Sequence, residues 1–239
     1  MTGYVHSFES LAAVDGDGLR YGVFLAGCPL RCVYCHNPDT WEKRAGTEFD
    51  ADRLVKKISR YRSYFGTNGG VTFSGGEPLL QAEWLCEVAE LLRKEGISYV
   101  VDTSGGVPLT EAVKTVLSGA QSILLDLKFF DEESYLRYTG RGLSQPLAVL
   151  EYLEAIGKAT RIRIVVIPGI NDSEAVLAKY LSHLRPKSCV TEVELLGFHT
   201  MGFHKYEALG IENRLSGTAA LDPAVKERLQ NFVNEQMKK

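Results

Sequence analysis

Gly27-Cys28-Pro29-Leu30-Arg31-Cys32-Val33-Tyr34-Cys35-His36-Asn37 gathers three of the five cysteines of this chain in the spacing C-x3-C-x2-C. The run follows directly on an apolar, β-prone stretch, Tyr21–Ala26. A strand that ends in a loop rich in metal-binding side chains is the arrangement of an α/β fold, whose chemistry gathers where parallel strands end. No fourth cysteine stands nearby. A structural zinc site closes with four protein ligands, and iron–sulfur clusters are also usually held by four thiolates. Three thiolates on one short loop leave one metal position for a ligand that is not protein, so the loop reads as a reaction site.

The 239 residues fit one α/β domain, taken as 1–239. At 45% hydrophobic and 24% charged the composition is that of an ordinary globular protein with a sizeable core. A net charge of −3 carries no nucleic-acid footprint, and there is no apolar run long enough to cross a membrane. The opening Met-Thr-Gly-Tyr-Val-His lacks the apolar segment of a signal peptide, and crowded cysteines do not form a secreted disulfide framework. A cytoplasmic protein with reduced thiols, working without nucleic acid or membrane, is expected.

Apolar runs alternate with helical patterns along the chain. Strands are expected at Tyr21–Ala26, Gly70–Phe73, Ser98–Thr103, Ser122–Leu127, Arg161–Pro168 and Glu192–Phe198. Helices are expected at Asp50–Tyr64, Gln81–Glu95, Leu109–Leu117, Glu132–Tyr138, Pro146–Ile156, Ser173–Leu184 and Pro223–Met237. Gly96 suits the position just past a helix end, and Pro223 the first turn of one. Strands separated by helices pair in parallel with right-handed crossovers. Six such units are too few for an eight-fold barrel, so the expected fold is α/β, a partial, open (β/α)6 TIM-like barrel. The expected strands end in the cysteine loop, Ser74-Gly75-Gly76-Glu77-Pro78, Asp102-Thr103-Ser104-Gly105, Asp126-Leu127-Lys128, Pro168-Gly169-Ile170-Asn171-Asp172 and His199. Polar groups and glycines therefore converge on one rim.

Cys28, Cys32 and Cys35 followed by Gly75-Gly76-Glu77-Pro78 resemble the radical S-adenosylmethionine superfamily. The strings Cys35-His36-Asn37-Pro38-Asp39-Thr40-Trp41, Asp15-Gly16-Asp17-Gly18 and Asp126-Leu127-Lys128 resemble the activating enzymes of glycyl-radical enzymes within it. The resemblance extends from His6-Ser7-Phe8-Glu9-Ser10 to His204-Lys205-Tyr206. Some relatives insert a ferredoxin-like segment with extra cysteines before the second strand; Glu42–Gly69 contains none, which favours the short pyruvate formate-lyase type and a single cluster. Asp17 stands where the family often has proline.

The resemblance implies a 4Fe-4S cluster held by Cys28, Cys32 and Cys35, whose open iron takes the amino and carboxylate groups of S-adenosylmethionine. It implies reductive cleavage of the sulfonium and a 5′-deoxyadenosyl radical that removes hydrogen from a glycine of the partner, pyruvate formate-lyase. A reduced flavodoxin or ferredoxin is the implied electron donor, and a monomer is expected. Under the resemblance, Gly75 and Gly76 bring backbone carbonyls to the cofactor's ammonium, with Glu77 adding either charge or its own backbone. Tyr34 lies near the adenine, His36 and Asn37 line the mouth, Lys128 meets the carboxylate beside Leu127, and His199 meets the ribose. Arg163 reaches the cofactor or the partner's loop. Asp102 and Asp126, with backbone oxygens at Thr103 and Leu124, are expected either to share a monovalent cation or to act as helix caps or ion-pair partners.

Plainer roles suit other residues. Cys86 and Cys189 are expected in the core or as structural thiols, and His6, His183 and His204 on the surface or in packing. Trp41 is expected to pack the cysteine loop, and Lys56-Lys57 and Lys238-Lys239 to be solvated. An open barrel leaves a lateral gap for a peptide loop, over which a mobile Ser10–Arg20 segment is expected to fold. Three alternatives stay open: an activase of a different glycyl-radical enzyme, a radical enzyme acting on a small molecule, and a zinc module closed by His36.

Overall fold

The computed structural model describes residues 1–12, 15–185 and 187–238. It contains one eight-stranded sheet in the order β3-β1-β2-β4-β5-β6-β7-β8. Six strands pair in parallel: β2 (Arg20–Leu25), β4 (Gly70–Gly75), β5 (Ser98–Thr103), β6 (Ser122–Asp126), β7 (Thr160–Val166) and β8 (Val190–Gly197). They are the six expected from the sequence, and they form the open, partial barrel. Two further strands escape the sequence reading. β1 (Thr2–Ala12) pairs antiparallel with β2, and β3 (Thr47–Asp50) pairs antiparallel with β1. Both are partly exposed: β3 buries only Phe49, and most of β1 beyond Val5 faces solvent.

The helices are α1 (Ala51–Ser59), α2 (Ala82–Lys94), α3 (Glu111–Gly119), α4 (Glu132–Thr139), α5 (Ser144–Ala155), α6 (Glu174–Leu184), α7 (Phe203–Ala208) and α8 (Pro223–Met237). Local chemistry sets their ends. Asp50 caps α1 by accepting from the Arg53 N–H at 2.7 Å, and Asp222 caps α8 ahead of Pro223. Gly96 follows α2 with φ +64°, as expected of a helix-ending glycine. The expected Asp50–Tyr64 helix stops at Ser59, and a single tighter turn covers Arg62–Tyr64. α7 was not expected; it is six residues long and buries only Tyr206.

Val71, Phe73, Val101, Ile123, Leu125, Ile162 and Ile164 point outward from the parallel strands and are buried under the helices. The opposite set lines the lumen, and it is largely polar, with Val100 and Leu124 among the exceptions. Asp102, Leu124 and Arg161 sit side by side in register, and Asp126 is beside Arg163 one layer higher. Arg20 closes the lower end. It is 1% exposed, and its guanidinium donates to Thr72 Oγ1 and to the carbonyls of Asp17, Asn68 and Val71 at 2.8 to 3.1 Å. Thr72 Oγ1 in turn donates to the Asp15 carbonyl at 2.6 Å. A side chain at Gly18 (φ +73°) would strike the Gly69 backbone at 2.5 Å. Residues 15–20 are thus a plug under the lumen, held by a buried cation, and not a free lid. Ala13 and Val14 of the expected mobile segment lie outside the described residues, as does Lys239 of the Lys238-Lys239 pair.

Candidate active site

The cysteine loop leaves β2 at Gly27 and is strapped on two sides. Gly27 and Cys28 donate backbone N–H groups to the carbonyls of Thr40 and Trp41, at 2.7 and 3.1 Å. Arg31 and Val33 donate to Thr139 and Tyr138 at the end of α4, at 2.7 and 3.0 Å. Tyr206 of α7 donates its hydroxyl to the Cys35 carbonyl at 2.9 Å. Trp41 packs beneath Arg31, whose guanidinium carbon is 4.8 Å from the indole centroid, as expected of a loop-packing residue. The three thiols are free and line one cavity of about 230 Å³ at the strand ends, together with Gly75, Gly76, Asp126 and Lys128. Burial pushes the Cys28 thiol up to about 12 and raises Cys32 and Cys35 as well.

Gly75 and Gly76 border this cavity for a steric reason. A Cβ on Gly75 would lie 2.4 Å from the Leu25 nitrogen, and one on Gly76 would lie 2.3 Å from the Gly27 carbonyl oxygen. Without side chains, the turn packs directly against the start of the cysteine loop. Glu77 corrects its expected role. Its side chain is fully buried and points away from the cavity, accepting from Thr103 Oγ1, Ser104 Oγ and the N–H groups of Ser104 and Leu79 at 2.6 to 3.1 Å. Burial raises its carboxyl, and those four donors oppose the shift. Glu77 therefore clamps the turn after β5 to the turn after β4.

The two aspartates follow the ion-pair reading. Arg163 Nε donates to Asp126 Oδ1 at 2.8 Å, and its Nη2 reaches Asp102 Oδ1. Lys128 Nζ donates to Asp126 Oδ2 at 2.7 Å, and Ser74 Oγ donates to Asp102 Oδ2 at 2.6 Å. The two carboxylates are thus joined by a guanidinium, where the alternative reading put a monovalent ion. Burial works against the Asp126 charge, but Arg163 and Lys128 overcome it and hold that carboxyl down at about 2. Burial likewise disfavours the Lys128 ammonium, and Asp126 more than offsets it. Leu124 faces the lumen beside Asp102, one layer below Asp126, and is buried. Thr103 lines the cavity with its hydroxyl committed to Glu77.

Four further residues refine the expectations. Tyr34 lines the cavity but is sunk into the core, its ring 6.3 Å from Phe129 and its hydroxyl buried without a partner among the described residues. Leu127 is buried, and its N–H is bonded to the Arg163 carbonyl, so neither its side chain nor its amide faces the cavity. His36 stacks on His199 at 3.8 Å and 7°, with Nε2 at 3.0 Å from the His199 carbonyl. His36 lines the cavity; His199 lies behind it with Nδ1 buried and unpartnered. With its ring committed in this way, His36 is not turned to close a zinc site with the cysteines.

Asn37 lines the cavity and accepts from Lys205 Nζ at 2.9 Å; Lys205 also pairs with Asp39 at 3.0 Å. Lys205 was missed because nothing in the sequence links α7 to a loop 168 residues away. Ser74 stood in a quoted strand end without a role, and the sequence gives no hint that it holds Asp102. Cys86 lies on α2 with its sulfur 3.5 Å from the Ala112 carbonyl, and Cys189 is buried before β8; neither is at the cavity. His183 and His204 bond to backbone carbonyls of their surroundings, and His6 lies 3.5 Å from Asp39.

A sequence profile of the Radical SAM superfamily matches residues 23–181. The pyruvate formate-lyase-activating enzyme of Clostridium pasteurianum is 40% identical over 235 residues, covering 98% of each chain. That of Staphylococcus epidermidis is 37% identical over 241 residues, covering 98% of this chain and 96% of the relative. Among solved structures, a domain of a pyruvate-formate lyase-activating enzyme from Bacteroides vulgatus superposes with a TM-score of 0.58 at 22% identity, over 70% of this chain and 94% of that one. Streptococcus suis SuiB bound to its precursor peptide SuiA superposes with a TM-score of 0.67 at 14% identity, over 88% of this chain. The match spans 44% of SuiB. At these identities the structural matches speak for the fold.

Proposed function

The chain belongs to the radical SAM superfamily and, within it, to the family of pyruvate formate-lyase-activating enzymes, and from that premise we propose that it installs a glycyl radical in pyruvate formate-lyase. The observation that carries this reading is the convergence of three free thiols from one loop on the cavity bordered by Gly75, Gly76 and the Asp126–Lys128–Arg163 network. That donor set fits a 4Fe-4S cluster with one open iron. The thiols are unpaired, they share one loop, and the remaining two cysteines are elsewhere. When bound, the cluster supplies one electron and an attachment point for the amino and carboxylate groups of S-adenosylmethionine, whose cleavage yields the radical that takes a glycine hydrogen.

The chain's own residues bind, orient and shield. Cys28, Cys32 and Cys35 give up their thiol protons on loading, since thiolates are the ligands. The Gly75-Gly76 turn offers backbone groups to the cofactor's ammonium. Lys128, kept charged by Asp126, offers a cation to its carboxylate. Tyr34, His36 and Asn37 shape the wall at the adenine and the mouth, and His199 supports His36 from behind. The plug of residues 15–20 keeps the lower end of the lumen closed to water while a peptide enters from the open side.

A monovalent cation remains part of the proposal, in competition with Arg163 for the carboxylates of Asp102 and Asp126. A reduced flavodoxin or ferredoxin is the proposed electron donor, with the protein acting as a cytoplasmic monomer. Anaerobic reconstitution with iron and sulfide, followed by incubation with S-adenosylmethionine and pyruvate formate-lyase, tests the reading. A glycyl-radical signal in the partner chain by electron spin resonance is the expected result. Cofactor consumption without that signal favours a small-molecule substrate.

A further inference from the structure

Four arginines ring the outer side of the cysteine loop. Arg31 is on the loop itself, and its Nη1 donates to the carbonyls of Cys28 and Leu30 at 2.7 and 2.8 Å. Arg141 donates from Nε to the Pro29 carbonyl at 2.9 Å. Arg214 donates to the Arg137 carbonyl at 3.2 Å, at the end of α4 that straps the loop. All four are exposed. Arg31 faces one carboxylate, Glu42 at 3.5 Å with a side chain 83% exposed; among the described residues Arg137, Arg141 and Arg214 have no acidic partner within 4.0 Å. Leu136, half exposed on α4 beside Arg137, supplies an apolar contact.

This concentration of positive charge runs against the chain's net charge of −3. The arginines attract an acidic partner to this face although the chain as a whole is weakly negative. Arginines beside an exposed apolar residue are typical of a docking surface, and complementary charge chiefly raises the rate of encounter. Behind the patch lie the carbonyls of Cys28, Pro29 and Leu30, so only the Arg31 and Arg141 guanidinium groups separate a partner seated here from the backbone that carries the thiols. The cavity where S-adenosylmethionine and the peptide belong is on the other side of the loop.

We propose that Arg31, Arg137, Arg141 and Arg214 form the docking surface for a small acidic one-electron carrier protein. The proposal rests on the radical reading above. In the step served, the carrier is oxidised by one electron and the cluster reduced by one, with no bond made or broken in this chain.

The test compares wild type with an Arg137→Glu, Arg214→Glu double variant, leaving the loop residues untouched. A Lys56→Glu, Arg60→Glu variant on the α1 side makes the same charge change elsewhere. Each protein is reconstituted, and bleaching of the cluster absorbance is followed after mixing with reduced flavodoxin, reduced ferredoxin or dithionite. Calorimetry measures carrier binding. Expected are an about tenfold or greater slowing and weakening with at least one carrier protein at low salt, a flatter salt dependence, and an unchanged dithionite rate. The α1 variant should behave as wild type. Equal carrier rates in wild type and the patch variant overturn the proposal, as does equal slowing by dithionite. Loss of dithionite-driven radical formation in intact pyruvate formate-lyase, with carrier rates unchanged, assigns the patch to the protein substrate and also overturns it. If wild type holds no cluster, the radical reading fails instead. An Arg137→Gln variant repeats the comparison if the double variant does not fold.

Discussion

Arg163 Nε donates to Asp126 Oδ1 at 2.8 Å, so the carboxylate expected to help hold a metal ion is neutralised by a side chain of the next strand. The same guanidinium reaches Asp102, and both acids lie in a polar lumen where two unscreened carboxylates would repel. Arg163 therefore sets how much the site depends on ions from solution.

Arg163→Gln should make S-adenosylmethionine affinity depend steeply on the monovalent cation present. Wild type should vary less between sodium, potassium and a bulky organic cation. Calorimetric titration of the reconstituted protein in the three salts measures this. A flat response in the variant would show that the carboxylates need no cation between them.

The Asp126 carboxyl is held at about 2, below its ordinary 3.8, chiefly by Arg163 and Lys128 acting against burial. A depressed pKa contributes stability that is present above the unfolded value and is lost as pH falls through the folded one. The stability this carboxylate contributes is thus present above roughly pH 4 and is lost as pH falls below it. Urea unfolding across that fall in pH should show a shallower pH slope in Asp126→Asn than in wild type. Parallel slopes would contradict the assignment.

Substituting Ala for Cys28, Cys32 or Cys35 should abolish cluster absorbance and all cleavage of S-adenosylmethionine, because only these three thiols share the cavity. Cys86→Ala and Cys189→Ala should retain both activities. Iron analysis and a 5′-deoxyadenosine assay decide the matter, and full activity in Cys32→Ala would sink the ligand set.

Arg20→Met should destabilise the protein by about 3 kcal/mol, since it strips the bonds from the Asp17, Asn68 and Val71 carbonyls and leaves the plug unsupported. Limited proteolysis should then cut within residues 15–20, which wild type protects. Unchanged stability and protection would mean the plug is held by something else.

The six parallel strands and most of the helices were legible because each carries a periodic apolar face and its own stop signal, as with Gly96 after α2. β1 and β3 were not, since half-exposed antiparallel strands added to one side of the sheet are defined by their partners and not by their own pattern. The cysteines and the Gly75-Gly76 turn announced the site through residue type alone. What Glu77, Ser74 and Arg163 do there depends on which neighbour they meet: Thr103 and Ser104 for Glu77, Asp102 for Ser74, and Asp102 and Asp126 for Arg163. Strand register across the lumen sets those meetings. The motif Gly-Gly-Glu-Pro suggested a charge at the cofactor, whereas the fold spends the glutamate on clamping two turns together.

The central claim is transfer of a radical to a glycine in a polypeptide. A short peptide copying the glycine loop of pyruvate formate-lyase, deuterated at the glycine α-carbon, is incubated anaerobically with the reconstituted protein, a reductant and S-adenosylmethionine. Mass spectrometry of the 5′-deoxyadenosine produced should find one deuterium taken from the peptide. If neither the peptide nor intact, labelled pyruvate formate-lyase donates deuterium, while a labelled small metabolite does, the account is contradicted.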